Sequence, residues 1–126
     1  MNGRDVPVLA VDDQPVFLDA AQDVVLATPG FDWVGGAGSG EEAIAAVEQL
    51  HPALVLLDVR MPGMDGFETA QRIRERHPEV VVVLISVEDS RAFAPTVEAS
   101  GAATLVRKQD LRPSVLRGLW EAWGSP

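Results

Sequence analysis

There is no cysteine among the 126 residues. Disulfides and thiolate metal sites are therefore excluded, and a reducing compartment suits the composition. Positive charge is scarce as well: 10 Lys and Arg stand against 19 Asp and Glu, a net charge of -9. A phosphate-backbone surface needs clustered Lys and Arg, so this balance argues against nucleic-acid binding by the chain itself. No apolar stretch reaches the roughly 18 residues that a membrane span needs. The N-terminus has no apolar signal-peptide core, since Asp5 interrupts it. The expected compartment is the cytoplasm, with no membrane contact. What is present is globular: 47% hydrophobic and 23% charged residues, enough for one domain over residues 1–126 with a sizeable core.

Apolar segments alternate between two periods. Val6 to Val11 is a short continuous run, read as a buried strand. Residues 15–28 space Val16, Phe17, Ala20, Ala21, Val24, Val25 and Leu26 as a helix, closed by Thr28-Pro29-Gly30. Phe31 to Ala37 reads as a second strand. Ser39 caps a second helix whose Glu41 and Glu42 suit its positive end, and which stops at His51-Pro52. Ala53 to Leu57 is a third strand ending on Asp58. A helix carrying Phe67, Ala70 and Ile73 stops at His77-Pro78, and Val80 to Ile85 is the fourth strand. A short helix near 94–100, a strand from Ala103 to Val106 leading to Lys108, and a last helix near 112–123 complete the chain. Five strands alternating with five helices, the strands lacking a polar face, predict a parallel, doubly wound α/β sheet with helices on both faces.

In such sheets ligands bind outside the carboxyl ends of the strands. The residues there are Asp12 and Asp13, Asp58, Ser86 and Lys108. Three carboxylates at close range repel one another, and a divalent cation relieves that; oxygen-only ligands favour Mg²⁺. A cation also lets a carboxylate approach an anionic phosphoryl group. An ammonium and a hydroxyl can each meet a phosphoryl oxygen. A carboxylate nucleophile, a metal, an ammonium and a hydroxyl form a phosphoryl-transfer set passing through an aspartyl phosphate.

Val11-Asp12-Asp13, Leu57-Asp58 through Met61-Pro62-Gly63-Met64-Asp65-Gly66, Leu84-Ile85-Ser86 and Val106-Arg107-Lys108 occur in order. With these pieces the whole chain resembles the receiver domain of two-component response regulators. Gln14-Pro15 and Gly101-Ala102 resemble the NarL/LuxR-type branch, where a DNA-binding output domain often follows. The resemblance implies the flavodoxin-like strand order 2-1-3-4-5. It implies a sensor histidine kinase as phosphodonor, Asp58 as phosphoacceptor, and a homodimer through the helix 4–strand 5–helix 5 face. It further implies Mg²⁺ ligation by Asp13, Asp58 and the Arg60 carbonyl, with Asp12 acting through a water and Lys108 meeting the phosphoryl group after transfer. Arg60 and Glu88 would sit over the mouth of the site and modulate the lifetime of the phosphorylated state. Catalysis would be limited to the domain's own aspartyl phosphate.

Some residues depart from that pattern. Leu105 stands where receivers carry a switching Tyr or Phe, so it is expected to pack, or to mark a muted switch. Pro95 cannot lie inside a helix, so the fourth helix should begin near Ala94 or Pro95, after a long mobile loop. Gln109 replaces a proline, and no cis peptide is expected. Gly38-Ser39-Gly40-Glu41-Glu42-Ala43 mimics a dinucleotide loop, but it follows the second strand and its glutamates would repel a pyrophosphate. His51 and His77 read as helix-end residues, Trp120 and Trp123 as core or else partner-facing, and Arg74 and Arg76 as a solvated face. Two rival functions remain: a degenerate receiver that only binds partners, and an aspartate-nucleophile phosphatase. The latter needs an aspartate at position 60, which is Arg.

Overall fold

The computed structural model describes residues 5–88 and 93–124. Five parallel strands lie in the order β2-β1-β3-β4-β5, as the resemblance implied. They are β1 (Val6–Val11), β2 (Phe31–Ala37), β3 (Leu54–Asp58), β4 (Val81–Ser86) and β5 (Thr104–Arg107). The helices are α1 (Pro15–Leu26), α2 (Gly40–Leu50), α3 (Gly66–Arg76), α4 (Ala94–Ser100) and α5 (Pro113–Trp123). Each boundary falls within two residues of the pattern-based reading, and one 3-10 turn over Lys108–Asp110 was not anticipated. Among the described residues no helix is long and apolar enough to cross a membrane.

Side chains alternate along a strand, so each one feeds two cores. Leu9, Val11, Val55, Leu57 and Leu84 pack under α2, α3 and α4 with Ala43, Val47, Ala70, Ile73 and Val97. Val8, Ala10, Leu54, Leu56, Val83 and Ile85 pack under α1 and α5 with Ala21, Val25, Leu116 and Leu119. Both parities of β3 are buried, which accounts for its apolar run. Continued by one step, the even parity of Val8, Ala10 and Leu56 puts Asp12 and Asp58 on the α1–α5 face.

Local chemistry sets the helix starts. The Ser39 hydroxyl accepts from the Glu42 N–H, and the Asp65 carboxylate accepts from the Glu68 N–H, each a cap of about 1 kcal/mol. Pro95 occupies the first turn of α4, where no intrahelical donor is lost. The loop predicted ahead of α4 falls, at residues 89–92, outside the described residues. No peptide bond among the described residues is cis.

Three readings need correction or refinement. Arg74 is not a solvated side chain: its guanidinium folds back and donates to the carbonyls of Pro78 and Val80, tying the end of α3 to the start of β4. His51 closes α2 in a left-handed conformation, whereas the imidazole of His77 pairs with Glu48 across α2 and α3. That hydrogen bond is the main reason the Glu48 carboxyl is held below its ordinary value. Trp120 packs against the α1–α5 core, but Trp123 is 46% exposed.

Candidate functional site

Four strand ends build the site at the carboxyl edge. β1 ends at Val11, and Asp12 and Asp13 follow at once. The buried Asp12 turns one oxygen back onto its own chain, where Oδ1 accepts from the Gln14 N–H at 2.8 Å. β3 ends on Asp58, which is 5% exposed. The backbone then turns through Gly63, whose φ of +78° lies in the left-handed region that glycine tolerates best. Gly66 starts α3 hard against the strand just left. A Cβ there would overlap the Asp58 carbonyl oxygen and lie 2.8 Å from Val59 Cα. The Gly66 N–H donates to the Val59 carbonyl at 2.9 Å and closes the turn. Thus the bend after Asp58 needs glycine twice, once for conformation and once for space.

Lys108 arrives from the end of β5. Its Nζ lies 2.6 Å from Asp12 Oδ2 and 3.6 Å from Asp58 Oδ1, with the lysine side chain 16% exposed. The ammonium therefore lies directly against two of the carboxylates. Ser86 ends β4, buried, and its hydroxyl accepts from the Glu88 N–H at 3.0 Å.

Burial raises the Asp58 carboxyl from 3.8 to about 6, with the Asp12 charge adding to the effect. Lys108 and a backbone hydrogen bond from Arg60 oppose the rise, and Asp13 adds slightly to it. An acid so placed is ionised at neutral pH at a real cost in free energy.

A cation would relieve that cost. Asp12, Asp13 and Asp58 each offer a carboxylate oxygen within 4.8 Å of the others. Asp12 Oδ2 is fully buried, and its partner there is the Lys108 ammonium at 2.6 Å. Hard oxygen donors clustered this closely, with the Asp58 carboxyl raised by burial and by its acidic neighbours, fit Mg²⁺.

The Arg60 guanidinium pairs with the Glu88 carboxylate, both side chains exposed. Arg60 also lies 5.8 Å above the Phe93 ring, which tilts against Phe67 at 5.6 Å. Leu105 lies on the other face of β5, 8% exposed within the α2–α4 core, so it packs. Sequence reasoning missed two aromatic neighbours. Phe93 flanks Arg60, and Phe17 lies with its ring 4.8 Å from Lys108 Nζ. Phe17 had been assigned only to the apolar stripe of α1; its place one turn beyond Asp13 was the available signal.

Several known proteins are similar to this chain in sequence and fold. Nitrate/nitrite response regulator protein NarL of Escherichia coli K12 is 33% identical over 122 residues, covering 96% of this chain. The chain spans 56% of that protein's length. A structure of the signal receiver domain of a NarL response regulator from Mycobacterium tuberculosis superposes with a TM-score of 0.86 at 29% identity, covering 94% of this chain and 96% of the other. The CheX-CheY-BeF3-Mg²⁺ complex from Borrelia burgdorferi gives 0.84 at 26% identity, covering 95% and 90%. Residues 8–117 match the family model of the response regulator receiver domain, and the chain belongs to that family.

Proposed function

We propose that residues 1–126 form a single receiver domain that accepts a phosphoryl group on Asp58 from a sensor histidine kinase and thereby switches a partner or effector surface. The observation that carries this reading is the meeting of Asp12, Asp13 and Asp58 with the Lys108 ammonium at one sheet edge. An ionised Asp58 oxygen forms the bond to phosphorus as the bond to the donor's leaving atom breaks. That atom is a histidine ring nitrogen of the kinase, or the acyl oxygen of a small acyl phosphate. Lys108, already 3.6 Å from Asp58 Oδ1, would neutralise one phosphoryl oxygen, and the Ser86 hydroxyl would donate to another. Asp13, Asp58 and the Arg60 carbonyl would hold Mg²⁺, with Asp12 acting through a water. When bound, the cation supplies charge neutralisation that lets the anionic carboxylate and phosphoryl group approach.

Arg60 and Glu88 would shield the acylphosphate from in-line water. Leu105 gives β5 a packed aliphatic residue at the switch position, so the moving part lies elsewhere or moves less. Catalysis stays confined to forming and hydrolysing the domain's own acylphosphate. A homodimer through α4, β5 and α5, a downstream DNA-binding effector acting in transcription regulation, and residence in the cytoplasm complete the proposal.

Intact-mass analysis after incubation with a small acyl phosphate and Mg²⁺ tests it. One added phosphate is expected, absent in Asp58→Asn and absent with chelator. Equal labelling of Asp58→Asn would overturn the assignment.

A further inference from the structure

Lys108 is the only lysine in the chain. Its ammonium has two kinds of neighbour. Asp12 and Asp58 lie at 2.6 Å and 3.6 Å. The Phe17 ring also faces it, its centroid 4.8 Å away. Phe17 stands on the first turn of α1, half-buried against the α1–α5 core. Its backbone is fixed by the Phe17 N–H to Gln14 carbonyl bond of 3.1 Å, so the ring is anchored only a few residues beyond Asp12 and Asp13. The segment that brings two carboxylates to the rim thus also roofs the ammonium with an aromatic ring.

We propose that Phe17 is a positioning residue for Lys108, holding the ammonium over the acidic rim through the electron-rich face of its ring. The inference rests on the reading of Asp58 as phosphoacceptor. Without a divalent cation the three carboxylates dominate: a short, buried ion pair outweighs an ammonium–ring contact. A doubly charged cation among them cancels two of the three negative charges and weakens their hold on Lys108. The ring's attraction does not change. Phe17 therefore matters most when the cation is present, because that is when the lysine must stay at the rim to meet the incoming phosphoryl group. Leucine at position 17 would keep much of the packing volume and lose the ring face; tyrosine would keep both.

The test uses the 126-residue chain labelled with ¹³C-lysine, which gives a single ε-CH₂ resonance. In the wild type that resonance is expected to be shifted upfield by the ring, with and without Mg²⁺. Phe17→Tyr should retain the shift and Phe17→Leu should lose it, with and without Mg²⁺. With saturating Mg²⁺ and a small acyl phosphate, Phe17→Leu should be phosphorylated about 5-fold more slowly, equal to about 1 kcal/mol. Phe17→Tyr should stay within about 2-fold of the wild type, as its ring presents the same face. An unshifted wild-type resonance, or one unchanged in Phe17→Leu, overturns the proposal. So does an equal slowing in both variants, which would make the effect one of packing. If the wild type fails to label at Asp58, the functional reading falls, and the resonance pattern still decides the role of Phe17.

Discussion

Replacing Asp58 by asparagine should make the metal-free protein more stable, by an amount that depends on pH. The folded structure raises this carboxyl from 3.8 to about 6, chiefly because it is 5% exposed, and further because Asp12 stands beside it. The folded state thus binds the proton more tightly than the unfolded chain does. Stability from this group is complete below about pH 4 and falls as pH rises through about 6. Above pH 7 the ionised side chain costs up to about 3 kcal/mol, at 1.36 kcal/mol per pKa unit; at pH 5 roughly half of that remains. Asparagine has similar shape and no charge, so Asp58→Asn should gain 1–3 kcal/mol at pH 8, about 4–12 °C in Tm for a chain of this length. Lys108 keeps its 2.6 Å partner Asp12 in the variant, so no buried charge is stranded. Thermal unfolding by circular dichroism, with chelator present, at pH 5 and pH 8 would measure both values. Mg²⁺ should then raise the wild type by about 2.7 kcal/mol at one hundred times its dissociation constant, and raise the variant less. A variant no more stable than the wild type at pH 8, or a gain equal at both pH values, would refute the argument that Asp58 is strained by burial and like charge.

Lys108→Ala should leave Mg²⁺ affinity equal or tighter by calorimetry, because an ammonium 2.6–3.6 Å from two carboxylates competes with the metal for them; a clear loss of affinity would contradict this. Arg60→Ala and Glu88→Ala should each hasten phosphate release, and the double variant should be no faster than the singles, since either change opens the mouth. Their effect on Tm should be small, the pair being exposed. Gly66→Ala should destabilise the fold by about 1–3 kcal/mol, read from the denaturant midpoint, because the added Cβ has no room beside the Asp58 carbonyl.

Much of this architecture is determined by local sequence. Buried parallel strands must be apolar on both faces, so Val6–Val11 and Leu54–Asp58 declare themselves without reference to the rest of the chain. Capping is also local: Ser39 and Asp65 each satisfy an N–H three residues on. Because a doubly wound sheet gathers its strand ends on one edge, Asp12, Asp13, Asp58, Ser86 and Lys108 could be grouped before any coordinate was known. Side-chain contacts outside these patterns were not legible in that way. Arg74 has the spacing of a solvated residue, yet the turn at Pro78 brings two carbonyls back beneath it. Glu48 meets His77 only because α2 and α3 lie side by side. Phe17 stood in the apolar stripe of α1 with only its place one turn beyond Asp13 to mark it, and the fold, which carries Lys108 to that turn, put its ring against the ammonium. Local sequence determined where each strand stops and which carboxylates it delivers, because backbone hydrogen bonding and burial act over a few residues. Tertiary packing decided which neighbours those carboxylates and the single ammonium would have, because charge and ring contacts depend on distance in space and not on separation along the chain.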